Sequence, residues 1–454
     1  MKTNWKKIIF IVGLFIVLLF LSCLNDSSLA TTSSDSLKIL KSEKQEFEQN
    51  EIIVKFKPGF SDIEKNNILL RVNGIVSEKI RTRSMFKAGE TEGILLINTQ
   101  LNVTDAINKI KGPEIEYVEP NYIYKHYEIS SDPYFVNKSL WGMGGNFGSQ
   151  ASAAWLNGHI GSSSVVVAVI DEGVQFNHPD LSGQIWTNPY DTIDKIDNDG
   201  NGYIDDINGW DFAGKNNSIY DGGKRGTSDQ HGTHVSGTIG AISNNIGVVG
   251  MNWKITIISA KFLGSNGGTT IDAIKAIDYI TDLKVRHKMN IVAINNSWGG
   301  GGYSQSLYDA ISRANVQDIL FIVAAGNGDV NGIGVDNDNV LNYPSNYKLS
   351  NVISVAALQS NGSIATFSNF GATTVHLGAP GVNIWSTIPY NKYVSYDGTS
   401  MATPHVTGAA ALYKSIHPNA TASEIKSAIL NNTIPTPSLK GKTISGGRLN
   451  ISGF

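Results

Sequence analysis

The sequence predicts an α/β protein whose main body is a mostly parallel sheet flanked by helices, with a small α+β unit ahead of it. Three observations lead there. Apolar runs dominated by Val and Ile recur beyond residue 132 and end at Asp, Asn or Gly, as strands buried on both faces do. Segments of helical period separate those runs, which favours parallel strands joined by crossover helices. Between residues 50 and 125, six shorter elements follow the order β-α-β-β-α-β, the split βαβ arrangement.

Composition bounds the function. A chain of 454 residues has room for one large and one accessory domain. With 36 Lys plus Arg against 39 Asp plus Glu, net −3, no basic surplus exists to grip nucleic acid. Charged residues are 17%, below the roughly 25% of an average domain, while 41% hydrophobic residues are too many for a disordered chain. The one Cys cannot form an internal disulfide, so an exported form would rely on packing or bound metal.

Taken in order, Lys2, Lys6 and Lys7 precede an apolar run from Ile8 to Leu21, too short for the roughly 20 residues of a spanning helix. Residues 1–22 therefore read as a signal peptide and the chain as exported. Cys23 follows Leu21-Ser22, similar to the bacterial lipobox, so two outcomes fit: lipidation of Cys23, or ordinary cleavage up to about Ala30. These place the protein outside the cell or in its envelope as a lipoprotein, touching membrane only through a lipid on Cys23. Residues 23–49 are a polar linker.

In the unit at 50–128, Ile52 to Phe56 reads as a strand closed by Pro58-Gly59. Ser61 to Val72 reads as a helix with Ile63, Ile68 and Leu69 apolar. A strand near Ile75, a strand at 93–97, a helix at 103–110 and a strand at 115–118 complete it. In the body at 132–454, Val165 to Ile170, Ile319 to Ala324 and Asn351 to Ala356 read as buried strands. Ligands of open α/β sheets bind outside the carboxyl ends of strands, which singles out Asp171 and Asn327.

Three motifs then share one chemistry. Asp171-Glu172-Gly173 closes the first of these strands, Asp229 to His234 opens a small-residue helix, and Gly398-Thr399-Ser400-Met401-Ala402-Thr403-Pro404-His405 opens another. A serine hydroxyl needs an imidazole to take its proton, and the imidazole needs a carboxylate to fix its tautomer. Ser400 at a helix N-terminus also places free N–H groups where negative charge develops. The chain order Asp, His, Ser is that of subtilisin.

With Asn177-His178-Pro179-Asp180-Leu181, His231-Gly232-Thr233-His234-Val235 and Ala325-Gly326-Asn327 also in family order, the sequence resembles a subtilase, a subtilisin-like serine peptidase. The resemblance implies a subtilisin-like three-layer fold, Asp171 as orienting acid, His231 as base, Ser400 as nucleophile and Asn327 as oxyanion donor. Ser297, Trp298 and Gly299, with Gly264, Ser265 and Asn266, match segments that pair with an extended peptide. The unit at 50–128 resembles the subtilase propeptide, an intramolecular inhibitor, which implies self-cleavage between about His126 and Asp132. The mature enzyme is expected to be a monomer acting on proteins or peptides. Two alternatives stay open on the same fold: a catalytically silent surface binding protein, and a transpeptidase or cyclase using the same acyl-enzyme.

Structural Ca²⁺ is expected at two places. Asp197, Asp199, Asn201 and Asp205 stand at positions 1, 3, 5 and 9 of a loop with Gly202 at 6. Asn208 at position 12 makes this an irregular calcium loop, not an EF-hand. The family's tight site would take side-chain oxygens from Asp180 and Asn244 and carbonyls from Ile242, Ile246 and Val248. A zinc site at His231 and His234 lacks both HExxH spacing and a third ligand.

Overall fold

A computed structural model describes residues 47–123, 130–222, 229–264 and 266–454. The expected signal peptide, Cys23, most of the linker and Ser265 lie outside the described residues. The chain divides into two compact units, Met1–His126 and Tyr127–Phe454.

The first unit is built on β1 (Phe47–Phe56), β2 (Ile75–Ile80), β3 (Ile94–Asn98) and β4 (Ile115–Tyr122), which form an antiparallel sheet in the order β2-β3-β1-β4. Two helices, Asp62–Leu69 and Val103–Lys109, pack through Ile68, Leu69, Val103 and Ala106 on Ile52, Val54 and Ile97. Ser61 and Glu64 cap the start of the first helix as a reciprocal capping box. The sequence expectation fails at three details. The helix ends at Leu69 and tightens into a 3₁₀ turn, Leu70–Val72. Ile63 is 74% exposed, because it falls on the face away from the sheet. A five-residue helix, Arg83–Lys87, interrupts the path from β2 to β3.

The second unit centres on β5 (Gly161–Asp171), which lies between β7 (Lys254–Lys261) and β8 (Ile291–Asn296); beyond β8 the sheet continues into β9 (Leu320–Ala324) and β10 (Val352–Leu358). The edges are β11 (Leu377–Pro380), β14 (Ile434–Pro435) and β15 (Gly447–Arg448) on one side and β6 (Gly209–Asp211) on the other. The nine strands run in the order β14-β15-β11-β10-β9-β8-β5-β7-β6, parallel apart from the β14–β15 pair. Successive side chains of a strand point to opposite faces. Val165, Val167 and Val169 of β5 accordingly join one core with the helices Gln230–Gly240 and Thr399–Ile416. Val166, Ala168 and Ile170 join the other, under the helices Thr270–His287 and Gln305–Val316. Both faces being covered explains why the strands read as unbroken apolar runs and not as alternating ones. A separate hairpin, β12 (Ile384–Ile388) with β13 (Lys392–Tyr396), lies against the histidine helix Gln230–Gly240.

Candidate active site

The parallel sheet brings the three motifs to one edge. Asp171 is the last residue of β5, His231 the second residue of the helix Gln230–Gly240, and Ser400 the second residue of the helix Thr399–Ile416. Asp171 is fully buried, and its Oδ1 accepts from His231 Nδ1 at 2.8 Å and from the Glu172 N–H at 2.7 Å. With Nδ1 donating to the carboxylate, Nε2 is the nitrogen free to take a proton. Burial opposes charge on His231, but the Asp171 and Glu172 carboxylates outweigh it and hold the imidazole pKa above its usual value. Glu172 also accepts from the His231 N–H at 3.2 Å, and burial pushes its own carboxyl up.

The first N–H groups of a helix have no partner four residues back. Here the Thr399 N–H goes to Asn327 and the Met401 N–H to the Gly398 carbonyl, while the Ser400 N–H between them has no partner among the described residues. The Ser400 hydroxyl donates to the Ser297 carbonyl at 2.9 Å, so proton transfer to His231 requires that bond to be given up. Asn327 follows β9 through Gly326, whose φ of +114° and lack of room for a Cβ beside the Asn342 and Asn369 amides demand glycine. The Thr399 N–H and hydroxyl both donate to Asn327 Oδ1 at 2.8 Å. A backbone N–H can only donate, so the amide oxygen is fixed there and Nδ2 is left for the cleft. His231, Asn327 and Ser400 line one cleft of about 350 Å³ together with Glu172, Gln230, Tyr396, Asp397 and Met401.

Sequence reasoning gives no role to Glu172 or Tyr396. Glu172 is visible there only as the neighbour of Asp171, whereas Tyr396 reaches the cleft from the hairpin, donating to Gln230 Oε1 at 2.8 Å and stacking on His234. His234 is a buried structural histidine whose Nε2 meets the Ile384 carbonyl at 2.9 Å, and burial pushes its pKa down to about 3. With His231 held by Asp171, the two imidazoles serve different partners, and zinc has no support.

The substrate segments divide. Ser297 touches Ser400 directly. Trp298 packs on Phe262 with ring centroids 4.8 Å apart and edge-on to Phe321, a core role. Gly264 and Gly267 bond each other's backbone at 3.1 and 3.0 Å, which closes a tight turn and leaves Asn266 exposed.

Among the described residues no three His, Cys, Asp or Glu side chains converge as a metal cluster, so a calcium ion would depend largely on carbonyls. The Asp180 region fits one. Asp180 and Asp132 are both fully buried and, among the described residues, have no cationic partner. They accept instead from neutral donors: Asn244 Nδ2 and the Val248 N–H for Asp180, Ser243 Oγ and the Asn244 N–H for Asp132. Burial pushes the Asp180 carboxyl up, the cost a divalent ion would remove. In the sequence Asp132 marks only the start of the domain. In the acidic loop, Asp197 and Asp199 accept from the Asn201 N–H, but Asp205 turns to the N–H groups of Asp194 and Lys195. Asn201 Nδ2 instead meets Asp206, fully buried with its pKa pushed up to about 6 by that burial. Asp191 Oδ2 is buried with no donor among the described residues, an orphan oxygen that suits a cation.

The fold and this cleft define a class, and the chain belongs to it: residues 162–451 match the subtilase family, and residues 35–121 match the fervidolysin N-terminal prodomain. It is 34% identical over 414 residues to the thermophilic serine proteinase of Bacillus sp. strain AK1, covering 90% of this chain and 88% of that one. Subtilisin-like protease 2 of Plasmodium falciparum is 35% identical over 309 residues, 66% of this chain but only 21% of that far longer protein. Among solved structures, fervidolysin from Fervidobacterium pennivorans, described as a keratinolytic enzyme related to subtilisin, matches with TM-score 0.53 and 26% identity over 90% of this chain and 61% of that one.

Proposed function

We propose that the protein is an exported serine endopeptidase, secreted or anchored by a lipid on Cys23, made as a self-processing zymogen and stabilised by Ca²⁺. The observation that carries this reading is the Asp171–His231 bond at 2.8 Å in a cleft shared with Ser400 and Asn327. In the reaction, His231 takes the Ser400 proton as Oγ attacks a peptide carbonyl. Asp171 holds the imidazole and stabilises its charged form. Asn327 Nδ2 and the Ser400 N–H receive the oxyanion. His231 then protonates the departing amine, and water repeats the cycle on the acyl-enzyme. Calcium would be held by Asp180, Asn244 and Asp132 with the carbonyls of Ile242, Ile246 and Val248, and by the loop carrying Asp197, Asp199 and Asn201, where its role is to fix backbone.

The exported localisation rests on the Lys-flanked apolar run at Ile8–Leu21. The zymogen reading rests on the prodomain match together with an intact triad set. Intact mass of the wild type beside Ser400→Ala tests it: the wild type is expected to lose the first unit between about His126 and Asp132, the variant to keep it. A fluorophosphonate should label Ser400 of the processed protein. Absence of labelling together with identical trimming of both proteins would favour the silent binding protein instead.

A further inference from the structure

The Ser297 hydroxyl, and the buried pair Asn295 and Thr407 behind it, have no part in the mechanism above. The serine helix Thr399–Ile416 contains Pro404. In an α-helix each carbonyl accepts from the N–H four residues on. Four residues before Pro404 is Ser400, so the nucleophile's own carbonyl has no helical donor, and the proline ring crowds that same carbonyl.

Ser297 Oγ lies 2.9 Å from the Ser400 carbonyl. A carbonyl only accepts, so Ser297 must direct its single proton there. Asn295 Nδ2 lies 2.9 Å from Ser297 Oγ. The hydroxyl proton being committed, that oxygen must accept, which turns the Asn295 NH₂ toward Ser297 and its oxygen toward Thr407. Thr407 Oγ1, 2.9 Å from Asn295 Oδ1, therefore donates, and the Thr403 carbonyl at 3.3 Å is the longer competitor for the same proton. All three residues are buried. Hydrogen bonds aligned head to tail in such a setting polarise one another. The chain begins and ends on the same helix and passes through the end of β8.

We propose that Thr407, Asn295 and Ser297 are positioning residues: a one-directional hydrogen-bond chain that replaces the helix bond Pro404 deletes and so fixes the backbone of Ser400. The proposal rests on Ser400 being the nucleophile. Its test is a cycle of Ser297→Ala, Pro404→Ala and the double variant in the full-length chain. Ser297→Ala keeps the backbone carbonyl, so KM should stay within about threefold while kcat falls roughly 10- to 100-fold from misplacement. Pro404→Ala returns an N–H to the Ser400 carbonyl, so the double variant should come back to within about threefold of Pro404→Ala alone. Thr407→Ser should behave as wild type and Thr407→Val should lower kcat. A double variant that falls as far below Pro404→Ala as Ser297→Ala falls below wild type, or a Ser297→Ala variant with unchanged kcat, overturns the proposal. The same cycle in Tm, on a Ser400→Ala background, needs no activity. There the loss caused by Ser297→Ala should be smaller when combined with Pro404→Ala than when the native proline is kept, and equal losses overturn the bond itself. If wild type neither labels nor cleaves peptide, the peptidase reading fails, and the Tm cycle still decides the chain.

Discussion

Replacing Lys261 by Met should destabilise the catalytic unit more than removing both members of the ion pair to which it belongs. Lys261 ends β7 with a side chain 3% exposed, its Nζ 2.5 Å from Oδ1 of the fully buried Asp229 and 2.7 Å from the half-exposed Asp221. Asp229, at φ +66°, starts the helix that carries His231, and its other oxygen accepts from the Asp221 N–H at 2.8 Å. Lys261→Met leaves Asp229 Oδ1 charged, buried and unopposed. Breaking one side of a buried pair costs about 3–5 kcal/mol. In a unit spanning residues 127–454, at the low end of about 2–4 °C per kcal/mol, that is a fall in Tm of roughly 6–10 °C. Lys261→Met with Asp229→Asn removes charge together with partner and should regain at least half of the loss. Calorimetry on a Ser400→Ala background avoids self-digestion. A single-variant fall below about 2 °C, or a double variant no better than the single, refutes the reasoning.

Asn327→Ala should lower kcat roughly 10²- to 10³-fold with little change in KM, the magnitude known for this donor in subtilisin; steady-state kinetics with a peptide anilide checks it. His231 must be neutral to accept a proton, and its raised pKa puts the acid limb of kcat/KM above about 6.5, with activity lost as pH falls through it. For stability the sign is opposite: the charged imidazole's contribution is complete below its unfolded pKa and disappears as pH rises through the folded one. Glu172→Gln removes a neighbouring negative charge and should move the acid limb down, and an unmoved or raised limb contradicts the assignment. A chelator should lower Tm, and the drop should shrink in Asp180→Asn. A native protein whose Tm ignores the chelator and whose metal analysis finds no calcium would end that reading.

Much of this is legible along the chain. Asp171, His231, Asn327 and Ser400 are readable because each sits at a strand end or helix start marked by Gly and small residues, a local signal that needs no partner. The apolar runs at 165–170 and 319–324 are strands because burial on both faces leaves no alternation to misread. Ile63 escapes a reading of period because a short helix presents too few turns to settle which residues face the sheet.

What the sequence by itself determined is the class of chemistry and the order of elements, since caps, glycines and apolar period act over a few residues. Only the tertiary structure decided which distant groups share charge and protons. Asp132 lies beside Asn244, Glu172 holds the His231 N–H, Tyr396 reaches Gln230, and Ser297 supplies the donor that Pro404 takes from Ser400. Pro404 can be read at once, but its lost bond is made good by the residue that follows β8, more than a hundred positions earlier. Satisfying a buried polar group is a property of the packed interior, and no local pattern records where its partner will come from.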